Sequence, residues 1–133
     1  MLKLLIVDDE RIIRETMATI IDWNTLDIQL IGTAKDGIEA YNIILDEYPD
    51  IVLTDIKMPA LSGIELIAKI HEINPQTQFI ILSGYGEFEY AKKAMQYGVK
   101  HYLLKPCNEM QIVDSIKNCL LYTSPSPRDP KTS

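Results

Sequence analysis

Two hydrophobic periods alternate along the chain. Short runs that are apolar at nearly every position are typical of strands covered by helices on both faces of a parallel sheet. Between and after these runs, apolar residues recur three and four positions apart, as in amphipathic helices. The strand-like runs are Leu2–Val7, Ile28–Gly32, Ile51–Thr54, Phe79–Leu82 and Tyr102–Leu104. The order βαβαβαβαβα predicts an α/β fold with a doubly wound, five-stranded parallel sheet and right-handed crossovers.

Five stretches carry the helical spacing, and turn residues separate them from the strands. Pro49 and Asp50 divide the second helix from the third strand, Asn74–Pro75 ends the third helix, and Gly98 is expected to cap the fourth. The apolar positions that mark the helices are Ile13, Met17, Ile20 and Ile21; Ile38, Tyr41, Ile44, Leu45 and Tyr48; Ile64, Ile67 and Ile70; Phe88, Ala91, Ala94 and Met95; and Ile112, Val113, Ile116 and Leu120.

The last residues break this pattern. The segment TSPSPRDPKTS at 123–133 contains three prolines and no apolar periodicity, so it has nothing to bury in a core. We therefore predict one domain over residues 1–121 and a disordered tail over residues 122–133. The tail is interpreted as a linker or as a remnant of an expression vector.

Composition narrows the function further. Of the 133 residues, 47% are hydrophobic, which is enough to form the core of a soluble domain. The net charge of −6 would repel the phosphate backbone of DNA. We expect no direct nucleic-acid binding by this domain. No apolar run approaches the roughly 18 residues of a membrane helix, and Cys107 and Cys119 do not form a CxxC pair. A cytoplasmic location with reduced thiols is expected.

Polar side chains collect where the predicted strands end. Asp8, Asp9 and Glu10 follow the first strand, Asp55 the third, Ser83 the fourth and Lys105 the fifth. Because ligands of doubly wound sheets bind beyond the carboxyl ends of the strands, these groups should share one crevice.

The charges of that crevice predict its chemistry. Clustered carboxylates repel one another unless a cation lies among them, and Mg²⁺ suits one or two carboxylates together with a phosphate. Lys105 adds positive charge from another strand. A carboxylate nucleophile held in this way is suited to phosphoryl transfer, which needs positioning and charge neutralisation above all.

Four motifs in this order resemble the receiver domain of bacterial two-component response regulators. They are LLIVDDE at 4–10, LTDIKMP at 53–59 with Gly63 after it, ILSGYGE at 81–87 and YLLKP at 102–106. Each motif alone is weak, whereas four in sequence, each at a strand end, are specific. The resemblance covers roughly residues 2–121 and implies a flavodoxin-like (βα)5 fold.

The resemblance implies a role for each matching residue. Asp55 would accept the phosphoryl group from a sensor histidine kinase. Asp9 and Asp55 would bind Mg²⁺ directly, Asp8 largely through a water, and Lys57 through its main-chain carbonyl. The residues implied in phosphoryl binding and switching are Ser83, Gly84, Tyr102, Lys105 and Pro106, with a cis bond before Pro106 that positions Lys105.

The resemblance also implies partners. Phosphorylation would change the face formed by the fourth helix, fifth strand and fifth helix, which could pair with a second copy in a homodimer. Receivers with an Ile21-Asp22-Trp23 segment and SGYGEFEYAKKAM at 83–95 resemble those fused to AraC-type helix-turn-helix domains. The implied full-length protein regulates transcription through a C-terminal DNA-binding output domain.

Three other functions are weighed against this one. An aspartyl-phosphate hydrolase carries a second acid two residues after its nucleophile, where this chain has Lys57. A flavodoxin-like cofactor binder needs a phosphate loop after the first strand, but Asp8, Asp9 and Glu10 would repel phosphate there. A degenerate receiver would have lost acidic residues that are all present. We therefore expect a regulatory phosphoacceptor rather than an enzyme.

Several residues are expected to be structural. Phe88 is predicted to lie in the core, Tyr85 at the rim of the site, and Trp23 under the loop after the first helix. Glu10 is interpreted as a favourable charge in the first turn of that helix rather than as a metal ligand. Tyr85 and Lys57 flank the crevice and would tune how long a phosphoryl group lasts.

Overall fold

Five parallel strands form one sheet among the residues that the computed structural model of the chain describes. These residues are 2–58, 60–84, 86–99, 101–105 and 108–123. The strands are β1 (Leu2–Val7), β2 (Ile28–Ala34), β3 (Ile51–Asp55), β4 (Gln78–Ser83) and β5 (His101–Leu104). They lie in the order β2-β1-β3-β4-β5, so the predicted doubly wound, flavodoxin-like sheet is confirmed.

Helices connect the strands. They are α1 (Arg11–Ile20), α2 (Gly37–Glu47), α3 (Gly63–Ile73), α4 (Phe88–Met95) and α5 (Glu109–Thr123), and a short 3₁₀ turn spans Trp23–Leu26. The α5 helix continues two residues past the predicted domain end at residue 121. Residues 124–133, which hold most of the predicted tail, lie outside the described residues.

The core has two layers because successive residues of a strand face opposite sides of the sheet. Leu5 and Val7 of β1 pack with α2, α3 and α4, whereas Leu4 and Ile6 pack with α1 and α5. All four side chains are fully buried. The central strands are therefore apolar on both faces, as their sequence predicts, and β1 and β3 are held firmly at the middle of the sheet.

Trp23 lies where the sequence predicts, whereas the C-cap of α4 is Gln96 and Gly98 lies two residues beyond it. The Trp23 side chain is buried, and its indole N–H donates to the carbonyl of Ala18 at 3.3 Å beneath the loop after α1. Gly98 follows α4 with φ +91°, a backbone conformation that glycine favours, and its N–H donates to the carbonyl of Met95. The sequence pattern gave no sign of the 3₁₀ turn that begins at Trp23.

The prediction that Phe88 lies in the core is wrong. Its side chain is 59% exposed, and α4 buries Ala91 and Ala94 instead. Phe88 is the first residue of α4, where the helix begins beyond the carboxyl edge of the sheet. A helical period identifies the face that a residue occupies, but it does not show whether the sheet reaches that far.

Candidate functional site

Asp55 is the last residue of β3, the strand at the centre of the sheet. Only 6% of its surface is exposed, and its Oδ1 accepts a hydrogen bond from the main-chain N–H of Ile56 at 2.8 Å. Gly63, the first residue of α3, packs directly on this turn, since a Cβ at Gly63 would overlap the main-chain oxygen of Asp55. The carboxylate is thus fixed in place by the connection that follows it.

The acidic residues after β1 lie beside Asp55. Asp8 is fully buried, and its Oδ1 accepts from the N–H of Glu10 at 2.9 Å, while its main-chain oxygen accepts from Arg14 at 2.7 Å. Asp9 is exposed. Asp8, Asp9 and Asp55 each offer one carboxylate oxygen, and these oxygens lie within 4.8 Å of one another. The predicted convergence of the three acids is present in the structure.

Lys105 joins these acids from the other side of the site. Its Nζ lies 3.0 Å from Asp8 Oδ2 and 3.1 Å from Asp55 Oδ2. Its main-chain N–H donates to the carbonyl of Ser83 at 2.8 Å, which ties the end of β5 to β4. Glu10 lies at the edge of this group, with Oε1 3.8 Å from the same ammonium.

The charges of the site are only partly balanced. Burial, and next the charge of Asp8, raise the pKa of Asp55 to about 6 even though Lys105 opposes the shift. Burial also raises the pKa of Asp8. For Lys105, burial by itself would lower the pKa, but the ion pairs with Asp8 and Asp55 outweigh it and raise the pKa. The carboxylates of Asp8, Glu10 and Asp55 thus face the single ammonium of Lys105. Additional positive charge would stabilise them.

This donor set fits a hard divalent cation. Carboxylate oxygens are the ligands that Mg²⁺ prefers, and oxygens that lie within 4.8 Å of one another are near enough to contact a single ion. The exposed Asp9 leaves one side open to water, which Mg²⁺ tends to retain. The acidic cluster can therefore bind a metal ion.

Ser83 and Tyr102 lie on β4 and β5, the two strands that follow β3 on one side of the sheet. Leu82 pairs with Asp55 in the sheet, so Ser83, the buried last residue of β4, is one position beyond it. Tyr102 on β5 is half-buried. Both residues line a hollow of about 210 Å³ between β4, β5 and the start of α4, together with Gly84, Gly86, Phe88 and Leu104.

Other predicted residues lie at the rim or outside the described part of the chain. The Lys57 side chain is exposed, and its Nζ lies 4.9 Å from the ring centre of Tyr90 on α4, a cation–π distance. Pro106, the bond before it, Cys107 and Tyr85 lie outside the described residues.

The sequence did not reveal the contact made by Glu87. This residue directly precedes α4, and its Oε1 accepts from the main-chain N–H of Gly84 at 2.6 Å. Its place in the ILSGYGE motif marks it as near the site. The direction of a flexible carboxylate, however, follows from the loop geometry and not from residue spacing.

The described helices include none that is long and apolar enough to cross a membrane.

Sequence comparisons identify relatives over nearly all of the described chain. The model of the response regulator receiver domain family matches residues 4–117. The uncharacterized transcriptional regulatory protein YesN of Bacillus subtilis is 58% identical over 120 residues, which are 90% of this chain and 33% of YesN. The transcriptional regulatory protein HptR of Staphylococcus aureus is 45% identical over 112 residues, 84% of this chain and 44% of HptR. The chain thus spans less than half the length of either relative.

Two solved structures are similar to this chain in fold and sequence. The REC domain of AraT, a response regulator from Geobacillus stearothermophilus, superposes with a TM-score of 0.87 at 34% identity and covers 92% of this chain and 95% of that one. A two-component transcriptional regulator AraC from Clostridium phytofermentans gives a TM-score of 0.83 at 36% identity, with 94% and 100% covered.

Proposed function

The chain belongs to the response regulator receiver domain family, and from that premise we propose that Asp55 is its phosphoacceptor. The observation that carries the proposal is the pairing of Lys105 with both Asp8 and Asp55 at about 3 Å, with three carboxylate oxygens gathered beside them. A buried carboxylate with an ammonium at its side and a metal-binding cluster next to it has the parts that phosphoryl transfer needs.

Asp8, Asp9 and Asp55, with the main-chain carbonyl of Lys57, would hold one Mg²⁺. The bound ion would supply positive charge next to the carboxylates and to the incoming phosphoryl oxygens. The cluster also gives a reason for the metal. Asp55 has a pKa of about 6, raised by burial and by Asp8, and a cation at this position favours the ionised form, which is the nucleophile.

The donor would be the phosphohistidine of a sensor histidine kinase. One Asp55 carboxylate oxygen forms a bond to phosphorus as the bond from phosphorus to the histidine nitrogen breaks. That nitrogen keeps the electron pair, and a proton on the other ring nitrogen leaves the imidazole neutral. Lys105, which pairs with Asp55 Oδ2 beforehand, is close enough to pair with the new phosphoryl oxygens afterwards.

Ser83, Gly84 and Tyr102 would transmit the change. A phosphoryl group on Asp55 adds negative charge and three strong acceptor oxygens. Ser83 lies one position beyond the residue paired with Asp55, which supports the proposal that its hydroxyl donates to them. The tyrosine ring would turn into the hollow that Ser83 and Tyr102 share as Ser83 moves. Pro106 would position Lys105 through a cis bond.

The α4-β5-α5 face would carry the output. Exposed apolar side chains collect on α4, on the turn after it and on β5, and such a patch is typical of a surface that binds a partner. They include Phe88, Met95, Tyr97 and Leu104. We propose homodimer formation through this face and control of a C-terminal DNA-binding domain, because YesN and HptR are both named as transcriptional regulators. The protein would act in the cytoplasm as a regulatory phosphoacceptor and not as an enzyme with a separate substrate.

Titration with beryllofluoride in the presence of Mg²⁺, followed by ¹⁵N NMR, tests the proposal. Beryllofluoride mimics a phosphoryl group on a carboxylate, so the amide signals of residues 55–57 and 83–84 should shift together in the wild type. Asp55→Asn should remove the response. Asp46→Asn, the same change at an exposed position on α2, should keep it. Signals that stay unchanged in the wild type would rule out the phosphoacceptor role.

A further inference from the structure

Glu87 directly precedes α4 and turns its side chain back towards the end of β4. Its Oε1 accepts from the Gly84 N–H at 2.6 Å, and the Glu87 N–H donates to the Gly84 carbonyl at 3.2 Å. The same side chain lies across the open side of Gly84, since a Cβ there would be 3.6 Å from Oε1. The first contact is as short as hydrogen bonds to ionised acceptors are, and it closes the turn between β4 and α4.

This orientation has a cost for α4. The first N–H groups of a helix have no partner within it, and a side chain at the N-cap commonly accepts from one of them. Asp36 does so for α2 and Ser62 for α3, and Asn108 makes the same kind of bond at the start of α5. Glu87 is the N-cap of α4 and makes no such bond. Its carboxylate is committed to Gly84 instead.

The Gly84 N–H lies in the region where the phosphoryl group would bind. Leu82 pairs with Asp55, and Ser83 and Gly84 follow it at the carboxyl edge of the sheet. Under the proposed function, on which this inference rests, both residues face the phosphoryl oxygens. We extend that proposal to the main chain, so that the Gly84 N–H now held by Glu87 would donate to a phosphoryl group on Asp55.

We infer that Glu87 is a positioning residue whose carboxylate competes with the phosphoryl group for the Gly84 N–H. It accepts from this N–H until a phosphoryl group on Asp55 displaces it. Two effects act in the same direction. The phosphoryl oxygens compete for the same donor, and their negative charge repels the carboxylate. Displacement of Glu87 opens the turn between β4 and α4, so α4 responds directly as well as through Ser83 and Tyr102.

The test compares the affinity of Mg²⁺-beryllofluoride for the wild type and for two variants at Glu87. Glu87→Ala removes the competing acceptor and the charge, and we expect binding about tenfold tighter than in the wild type. Glu87→Gln keeps a neutral acceptor, and we expect a gain of about threefold. Glu89→Gln removes a charge from the exposed first turn of α4 and should leave the affinity unchanged.

A second readout follows the Gly84 amide before any beryllofluoride is added. In the wild type its proton should resonate at the high frequency that a short hydrogen bond produces, and it should move to lower frequency in Glu87→Ala. Glu87→Gln serves if the alanine variant does not fold. Folded Glu87 variants that bind beryllofluoride no more tightly than the wild type would overturn the inference. A wild type that does not bind it at all would instead overturn the proposed function.

Discussion

Two helices begin near the proposed phosphorylation site, and they are built differently. The α3 helix follows β3 and Asp55, starts with a capping box between Ser62 and Glu65, and buries Leu66, Ile67 and Ile70. The α4 helix follows β4 and Ser83, has eight residues and no side-chain cap, and buries Ala91 and Ala94. The contrast indicates that the connection after Asp55 fixes its carboxylate in place, whereas the connection after Ser83 is held less firmly.

The side chains that each helix buries give an estimate of this difference in free energy. Each fully buried Leu or Ile side chain contributes about 1.5–3 kcal/mol, and a buried alanine methyl much less. The α3 helix has three such side chains, whereas the larger α4 residues Phe88, Tyr90 and Met95 are all substantially exposed. Elements with few buried apolar contacts open first. The α4 helix is therefore the element that a small energetic change at the site can move.

The largest effect that we predict concerns the glycines of the two connections. Gly63→Ala should lower the free energy of unfolding by about 3 kcal/mol, because its Cβ would overlap the Asp55 main-chain oxygen and lie 3.0 Å from Ile56 Cα. Gly84→Ala should change it by less than about 1 kcal/mol, because the nearest atom to its Cβ is Glu87 Oε1 at 3.6 Å. Urea unfolding measures both. Equal costs would remove the contrast between the two connections.

Charge at Asp55 gives the next largest effect. Its pKa is raised to about 6 from an ordinary 3.8, so the folded state holds this proton more tightly than the unfolded chain. The stability that Asp55 contributes is then lost as pH rises from about 4 to 6. Without Mg²⁺ at pH 7.5, Asp55→Asn should stabilise the fold by about 2 kcal/mol, and this gain should shrink as pH falls towards 4.

The matched control is Asp46→Asn, which removes an exposed carboxylate from α2 and should change stability by less than about 0.5 kcal/mol. Addition of Mg²⁺ should reduce the advantage of Asp55→Asn, because the ion binds and stabilises the wild-type fold. A wild type that is more stable than Asp55→Asn at pH 7.5 without metal would contradict the electrostatic account of the site.

The smallest effect concerns the cap of α3. Ser62→Ala removes the acceptor for the Glu65 N–H and should lower the free energy of unfolding by about 1 kcal/mol. Ser62→Asp keeps an acceptor and should retain most of that stability. Amide hydrogen exchange should show slower exchange in α3 than in α4, with the alanine variant losing protection in the first turn of α3. Faster exchange in α3 than in α4 would reverse our interpretation.

The sequence predicts the strands and the acidic site well, for a physical reason. Residues buried on both faces must be apolar throughout, so β1 and β3 stand out, and a parallel sheet brings Asp8, Asp55 and Lys105 to one edge. The exposure of Phe88 depends on how far the sheet extends under α4, and the bond from Gly84 to Glu87 depends on one rotamer. Neither property leaves a periodic pattern in the sequence. The prediction for Pro106 is untested, because Pro106 lies outside the described residues.

The central claim is that Asp55 accepts a phosphoryl group, and mass spectrometry of the intact protein tests it most directly. After incubation with acetyl phosphate and Mg²⁺, the wild type should gain the mass of one phosphoryl group, and a chelator added beforehand should prevent the gain. Asp55→Asn should remain unmodified, while Asp46→Asn should be modified like the wild type. A wild type that gains no phosphoryl group, or an Asp55→Asn variant that gains one equally well, would contradict the account.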